Sequence, residues 1–265
     1  MATSTRPSLS LSVCMIAGPE AHRIRRALES VAEWAREIIV VINEDVHDGT
    51  DRISADYGAK VFREPWRGFI AQKNSATEKA SSDWLLGLDA DEVISPELRV
   101  EITSLLSQPA SEIPNSAYSV PRCTFYCGRW IRHGDWYPDR KGLLWRRGQA
   151  QWTGVEPHAV LIVNGSTGRL KHDLWHYSFD NIDQFIRKAL GYSHTFAQQP
   201  KTAARRVGLL AVGGRPLWCF FRGYFLRLGF LDGQHGIVLA SLYSFYTFLK
   251  YAKLWELQQR QSAKQ

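Results

Sequence analysis

The chain has 265 residues, 45% of them hydrophobic, and a formal net charge of +7. That length supports one large domain or one domain with an appendage, and the composition is that of a globular protein with a sizeable core. The positive balance favours anionic partners: nucleotides, phosphorylated glycans, nucleic acid or an acidic membrane face. Cys14, Cys123, Cys127 and Cys219 do not have the paired spacing of a zinc site and read as reduced thiols of a cytosolic protein. Met1 to Ser8 is short and polar, with no signal-peptide apolar region.

The first half alternates strand and helix. Leu9 to Ala17 reads as an apolar strand ended by Gly18 and Pro19, and His22 to Ala35 has helical spacing. Glu37 to Asn43 is a second buried strand. Asp48-Gly49-Thr50 then gives a turn and an N-cap for a short helix to Tyr57. Ala59 to Arg63 is a third strand, Ile70 to Ala80 a helix, and Trp84 to Leu88 a fourth strand. Pro96 to Ser107 is a helix with Pro96 in its first turn. Such alternation implies a parallel sheet with right-handed crossovers, in which ligands bind beyond the carboxyl ends of the strands.

The fourth strand ends in Asp89-Ala90-Asp91-Glu92. Carboxylates two apart at a sheet edge can both reach one hard cation, and that cation can hold a diphosphate. A solvated acidic turn is the plain alternative. The loops at Ala17 to Glu20, Asn43 to Asp48, around Trp66 and at Asp89 to Glu92 should converge, which favours a functional cluster. Neither G-x-G-x-x-G nor G-x-x-x-x-G-K-[ST] is present, which argues against a Rossmann dehydrogenase and a P-loop enzyme.

The ordered set Leu11-Ser12-Val13, Asp48-Gly49-Thr50, Trp66-Arg67-Gly68-Phe69, Gln72-Lys73-Asn74, Leu88-Asp89-Ala90-Asp91-Glu92 and Trp136-Tyr137-Pro138-Asp139-Arg140 resembles family 2 glycosyltransferases of the GT-A fold. His176-Tyr177-Ser178 and Lys250 to Trp255 extend that match, which is nearest to lipopolysaccharide core enzymes that add glucose to inner-core heptose. The resemblance implies an α/β fold, a nucleotide-sugar-binding mixed sheet flanked by helices. It implies a GT-A domain over residues 1–200, with a donor half at 9–110 and an acceptor half at 111–180. The expected activity is metal-dependent, inverting transfer of a hexose, glucose from UDP-glucose, to a lipid-linked or phosphorylated glycan.

Residue by residue, Asp89 and Asp91 match the family's D-x-D pair, with Asp91 the direct ligand of Mg²⁺ or Mn²⁺ and Asp89 on the ribose or the same metal. Lys73 and Asn74 match its donor-side pair, and His176 matches a histidine turned toward the metal or diphosphate; a satisfied core histidine is the alternative. Two positions depart from the pattern. Asn43 stands where an aspartate usually accepts from the uracil, which leaves the base preference open and Glu44 or Asp45 as substitutes. In Trp152 to Ala159, Glu156 is the one carboxylate and the preferred base, with His158 as the alternative.

Residues 117–180 combine tryptophans with Arg122, Arg129, Arg132, Arg140, Arg146 and Arg147. Aromatic faces stack on sugars and guanidinium groups grip phosphates, so this stretch reads as the acceptor side; a nucleic-acid groove is disfavoured. Residues 201–265 read as an amphipathic helical tail, basic and aromatic. Its apolar run from Ile237 to Leu249 is too short to span a bilayer. That pattern fits an anionic membrane surface and a cytoplasmic protein peripheral on the inner face, or else a helical pair packed on the catalytic domain or forming a dimer contact. Two rivals remain: a degenerate transferase fold that binds glycan or lipid without chemistry, and a nucleotidyltransferase.

Overall fold

The structure is a computed structural model that describes residues 9–156, 158–179, 181–199 and 206–263. The expectations for Met1 to Ser8 and for the stretch Lys201 to Arg206, which reads as a basic linker, lie outside the described residues, Arg206 excepted. The chain groups into two compact units, Met1–Arg122 with Arg140–His176, and Cys123–Asp139 with Tyr177–Gln265. This division differs from a boundary at residue 200, because part of the 111–180 stretch belongs with the C-terminal helices.

In the first unit, β1 (Leu11–Ala17), β2 (Glu37–Asn43), β3 (Lys60–Glu64) and β4 (Trp84–Gly87) alternate with α1 (Ile24–Glu29), α2 (Thr50–Asp56) and α3 (Phe69–Glu78). β1 pairs in parallel with both β2 and β4, and β2 in parallel with β3. After β5 (Glu92–Ile94) and α4 (Pro96–Leu106) come the longer strand β6 (Ala117–Tyr126), whose end past Arg122 belongs with the short hairpin strand β7 (Arg129–Ile131) to the second unit, and then β8 (Asp139–Arg146). The hairpin β9 (Ala150–Val155)–β10 (His158–Val163), then β11 (Thr167–Arg169) and β12 (Leu174–His176), complete it. The sheet runs β3-β2-β1-β4-β8-β6-β12-β5. The β4–β8 and β12–β5 pairs are antiparallel, so the sheet is mixed.

The unbroken apolar runs follow from burial on both faces. Val13 and Met15 of β1, Ile38, Val40 and Ile42 of β2, and Leu86 of β4 pack with Ile24 and Leu28 of α1 and with Leu98 and Ile102 of α4. The alternating positions Cys14, Ile39, Val41 and Leu85 pack with Ala76 of α3 and with Trp145 and Trp152. A strand covered on both sides has no polar phase, so its sequence shows a run where a half-exposed strand would alternate. α4 starts as expected: Ser95 Oγ accepts from the Leu98 N–H at 3.1 Å, with Pro96 in the first turn.

The second unit is mainly helical. It holds α5 (Ile182–Gln198), α6 (Leu209–Phe221) and the long α7 (Gln234–Ser262), with a π turn at Arg222–Leu226 and a 3₁₀ turn at Gly229–Asp232 between the last two helices. Asn181 caps α5, its Oδ1 accepting from the Gln184 N–H at 2.9 Å. Gly236 is required where α7 leaves that turn, because a Cβ there would stand 1.8 Å from the Gly229 carbonyl oxygen. Two buried carboxylates pin the joint. Asp232 accepts from the backbone N–H groups of Arg132 and His133 at 3.2 and 2.9 Å, and Asp135 meets Arg222 and Arg227 at 2.8 and 3.1 Å.

Candidate active site

The strand order places β2 and β3 on one side of β1 and β4 on the other, so the crevice beyond the carboxyl ends of β1 and β4 is a topological switch point. The loops there are tied together. Asp48 Oδ1 accepts from the Thr50 N–H at 3.0 Å and its Oδ2 from the Ala21 N–H at 3.0 Å, while Thr50 Oγ1 accepts from the Glu20 N–H at 2.9 Å. The Asp48-Gly49-Thr50 turn thus joins the loop after β2 to the loop after β1.

Past β4 the three acidic residues take different roles. Glu92 is fully buried, at the start of β5. It receives the Lys141 ammonium at 2.7 and 2.9 Å, Arg122 at 3.2 Å, and the Asp89 N–H at 3.1 Å. Asp89 holds two ammonium groups, Lys73 on Oδ1 at 2.5 Å and Lys141 on Oδ2 at 2.6 Å. Burial pushes the Asp89 carboxyl up, but Lys141 and Lys73 outweigh it and hold it well below the usual carboxylate range. Burial likewise pulls the Lys141 ammonium down, and Asp89 and Glu92 more than reverse that. Each carboxylate oxygen of this cluster thus has a cationic partner, as a buried ionic network requires.

Asp91 faces a different set. Its Oδ2 lies 3.6 Å from His176 Nε2 and 3.7 Å from Arg23 Nη1, and Arg23 Nε is 2.7 Å from Glu20. His176 reaches this point because β12 lies antiparallel to β5 in the register that aligns His176 with Glu92. Asp91 and His176 are the residues that would hold a divalent cation here, and such a cation would supply positive charge toward a phosphate. Asp89 does not fit the same ion in this arrangement, since both its oxygens carry ammonium groups. Among the described residues no three His, Cys, Asp or Glu side chains gather closely enough to make a ligand cage. Of the expected set Asp89, Asp91 and His176, the structure brings the last two together.

The remaining expected residues lie on or against α3. The Lys73 ammonium sits 4.7 Å from the centre of the Trp152 ring. Asn74 donates to the Trp152 carbonyl at 2.9 Å and accepts from the Trp152 N–H at 3.0 Å, so its amide clamps α3 to β9. Asn43 ends β2 and accepts from Gln72 Nε2 at 3.4 Å. Glu156 Oε1 accepts from the Ile70 N–H at 2.9 Å. It caps a helix whose own N-cap residue, Gly68, has no side chain for the purpose. A Cβ on Gly68, where φ is +99°, would stand 2.6 Å from that oxygen. His158 opens β10 and is exposed.

Several cations expected to grip acceptor phosphates are bonded elsewhere. Arg122 is on Glu92, Arg140 donates to the Ser119 and Leu170 carbonyls, and Arg146 to those of Ala110 and Ile113. Trp145 and Trp152 are core, stacked edge-on at 5.8 Å under Gly87. Sequence reading missed Lys141, which follows the quoted Trp136 to Arg140 stretch directly, and missed that Glu92 is buried. A lysine in a strand otherwise reads as solvated, and the only signal was its place beside a recognised segment.

Residues 12–117 match the profile described as glycosyl transferase family 2. An uncharacterized glycosyltransferase, RP128, of Rickettsia prowazekii (strain Madrid E) is 30% identical over 262 residues, covering 93% of this chain and 87% of the relative. The lipopolysaccharide core biosynthesis glycosyltransferase LpsC of Rhizobium meliloti (strain 1021) is 28% identical over 257 residues, covering 94% of this chain and 93% of LpsC. Among solved structures, S. aureus TarS 1–349 in complex with UDP-GlcNAc aligns with a TM-score of 0.47 at 12% identity, over 91% of this chain and 90% of that one.

Proposed function

This chain belongs to glycosyl transferase family 2, and we propose that it moves a hexose, glucose, from UDP-glucose to a hydroxyl of a lipid-linked glycan of the lipopolysaccharide-core type, with inversion. Membership in a glycosyltransferase family supports glycosyl transfer over a nucleotidyltransferase or a binding module. The full-length likeness to LpsC supports the acceptor class. The observation that carries the chemistry is the Asp91–His176 pair at the switch point, 3.6 Å apart, beside the Lys73–Asp89 pair.

A divalent cation held by Asp91 and His176 supplies Lewis-acid neutralisation of the departing diphosphate when bound. Lys73 adds a positive charge on the same side, and Lys141 keeps Asp89 and Glu92 neutralised without drawing on Lys73 alone. Asn43 meets the base at the end of β2, where an amide both donates and accepts. Asn74 positions the site by locking Trp152, the ring over which Lys73 lies. Glu156 takes the acceptor proton as the hydroxyl attacks from the face opposite the diphosphate. Its Oε1 is anchored by Ile70, which leaves Oε2 to reach the hydroxyl.

The test is turnover of UDP-glucose onto a lipid-linked core acceptor, with the anomer of the product read by NMR. Glu156→Gln should lower turnover about 10²- to 10⁴-fold, the range of a lost general base, while donor binding persists. If His158→Ala does this and Glu156→Gln does not, His158 is the base. A product that retains the donor's anomeric configuration overturns the inverting mechanism.

A further inference from the structure

The second unit presents an amphipathic helix with its apolar stripe outward. On α6, Leu210, Leu217, Trp218 and Phe221 recur at helical spacing, and Phe225 continues the row into the π turn. They are exposed to 92%, 72%, 55%, 45% and 49% respectively. The opposite stripe, Pro216 and Cys219, is the buried one. The exposed side chains form a continuous surface. Trp218 and Phe221 rings lie 6.0 Å apart, Phe221 and Phe225 5.3 Å, Phe225 and Tyr224 5.0 Å, and Tyr224 and Phe230 6.3 Å. Monomeric proteins rarely leave such a patch bare, and patches of this kind mark interaction sites.

The charges around it are of one sign. Between residues 206 and 250 the charged side chains are Arg206, Arg215, Arg222, Arg227 and Lys250, with Asp232 as the acid, and Asp232 is buried. Arg222 and Arg227 share the single buried carboxylate of Asp135, which leaves the pair with net positive charge. No helix among the described residues is long and apolar enough to cross a bilayer. An exposed aromatic and leucine stripe fringed by arginine matches the interfacial zone of an anionic leaflet, where rings sit at the headgroup level and guanidinium groups meet lipid phosphates.

We propose that the Leu210–Phe230 face is a membrane-docking surface that inserts its aromatic stripe into an anionic lipid leaflet. This narrows the expected membrane contact from the whole tail to α6 and the turns after it. α7 instead serves as the spine of the unit, against which α5 and α6 pack, with Leu254 fully buried. The inference deepens the reading of a lipid-linked acceptor, since it holds the enzyme on the surface where such an acceptor resides.

The experiment is co-sedimentation of the full chain with vesicles, with neither donor nor acceptor present, so that its outcome is independent of the transfer reaction. The protein should sediment with phosphatidylglycerol-containing vesicles, much less with phosphatidylcholine alone, and less as salt rises. Trp218→Ser, Phe221→Ser and Phe225→Ser together should lower binding at least about tenfold, since each partly exposed ring gives up transfer energy. Leu210→Ser with Leu217→Ser, at the most exposed positions, should lower it in the same direction and serves if the triple variant does not fold. Absence of sedimentation with anionic vesicles overturns the proposal, as does equal sedimentation of both folded variants. A dimer that ignores vesicles and dissociates in these variants would assign the face to a second copy of the chain instead.

Discussion

Two sets of carboxylates in this molecule share a chemistry and differ in use. Asp135 and Asp232 in the second unit have side chains only 5% and 2% exposed, and they are bonded to arginines and to backbone N–H groups that do not leave in the folded state. Asp89 and Asp91 in the first unit stand at a strand end, with side chains 31% and 20% exposed, and their partners are long flexible cations or an imidazole. A buried carboxylate with fixed donors stabilises a joint, and its charge is compensated once and for all. A more open carboxylate facing an imidazole, as Asp91 faces His176, has a side from which a metal and a diphosphate could approach. Exposure separates the candidate site from the lock, and the acidic residues alone do not.

The sharpest way to break this comparison is to remove one carboxylate of each kind. Asp91→Ala should lower turnover about 10²- to 10³-fold, by the loss of preorganised charge stabilisation, and leave the urea midpoint nearly unchanged. Asp232→Ala should do the reverse in kind. Its loss strands two backbone N–H groups and should cost about 3–5 kcal/mol in urea unfolding. If Asp91→Ala destabilises as much as Asp232→Ala, the distinction fails.

A smaller effect belongs to Asn74. Asn74→Ala removes both bonds to the Trp152 backbone and should cost about 2 kcal/mol in the same assay. It should lower turnover through the displaced Trp152, and Asn74→Asp, which keeps the acceptor, should restore part of the stability.

A separate effect, read only against pH, is on acid stability. Burial pushes the Glu37 carboxyl up, but bonds from Lys60, Ser12 and Ser81 outweigh it and bring it down to about 2 from an ordinary 4.5. A depressed carboxylate stabilises fully above its unfolded value and loses that contribution as pH falls toward the folded one. Stability should therefore decline between pH 4.5 and about 2, and Glu37→Gln should flatten that part of a thermal-melting profile against pH.

The comparison also shows what was legible in the sequence. β2 is found over Glu37–Asn43 as read, and β1, β3, β4, α3 and α4 within two residues of the expected bounds; for β1, β2 and β4 this is because doubly buried strands write unbroken apolar runs. The expected helix over His22 to Ala35 shrinks to Ile24–Glu29, with turns on either side. Strands β6 to β12 were not resolved from sequence, since their charged and aromatic residues alternate around long-range pairings that no local pattern encodes. Asp91 and His176 were singled out by the spaced D-x-D and the family resemblance, and the structure brings them within 3.6 Å. The capping of α3 by Glu156, from 86 residues away, and the double hold of Lys141 were not, because each exists only once the strands are registered.

The most direct test of the account is calorimetric titration of UDP-glucose, with and without Mn²⁺, into the intact protein and Asp91→Ala. The account predicts metal-dependent binding that disappears in Asp91→Ala while that variant stays folded. Binding that is equally tight without metal, or unchanged in Asp91→Ala, would contradict the assignment of Asp91 and His176 as the seat of a nucleotide-sugar's cation.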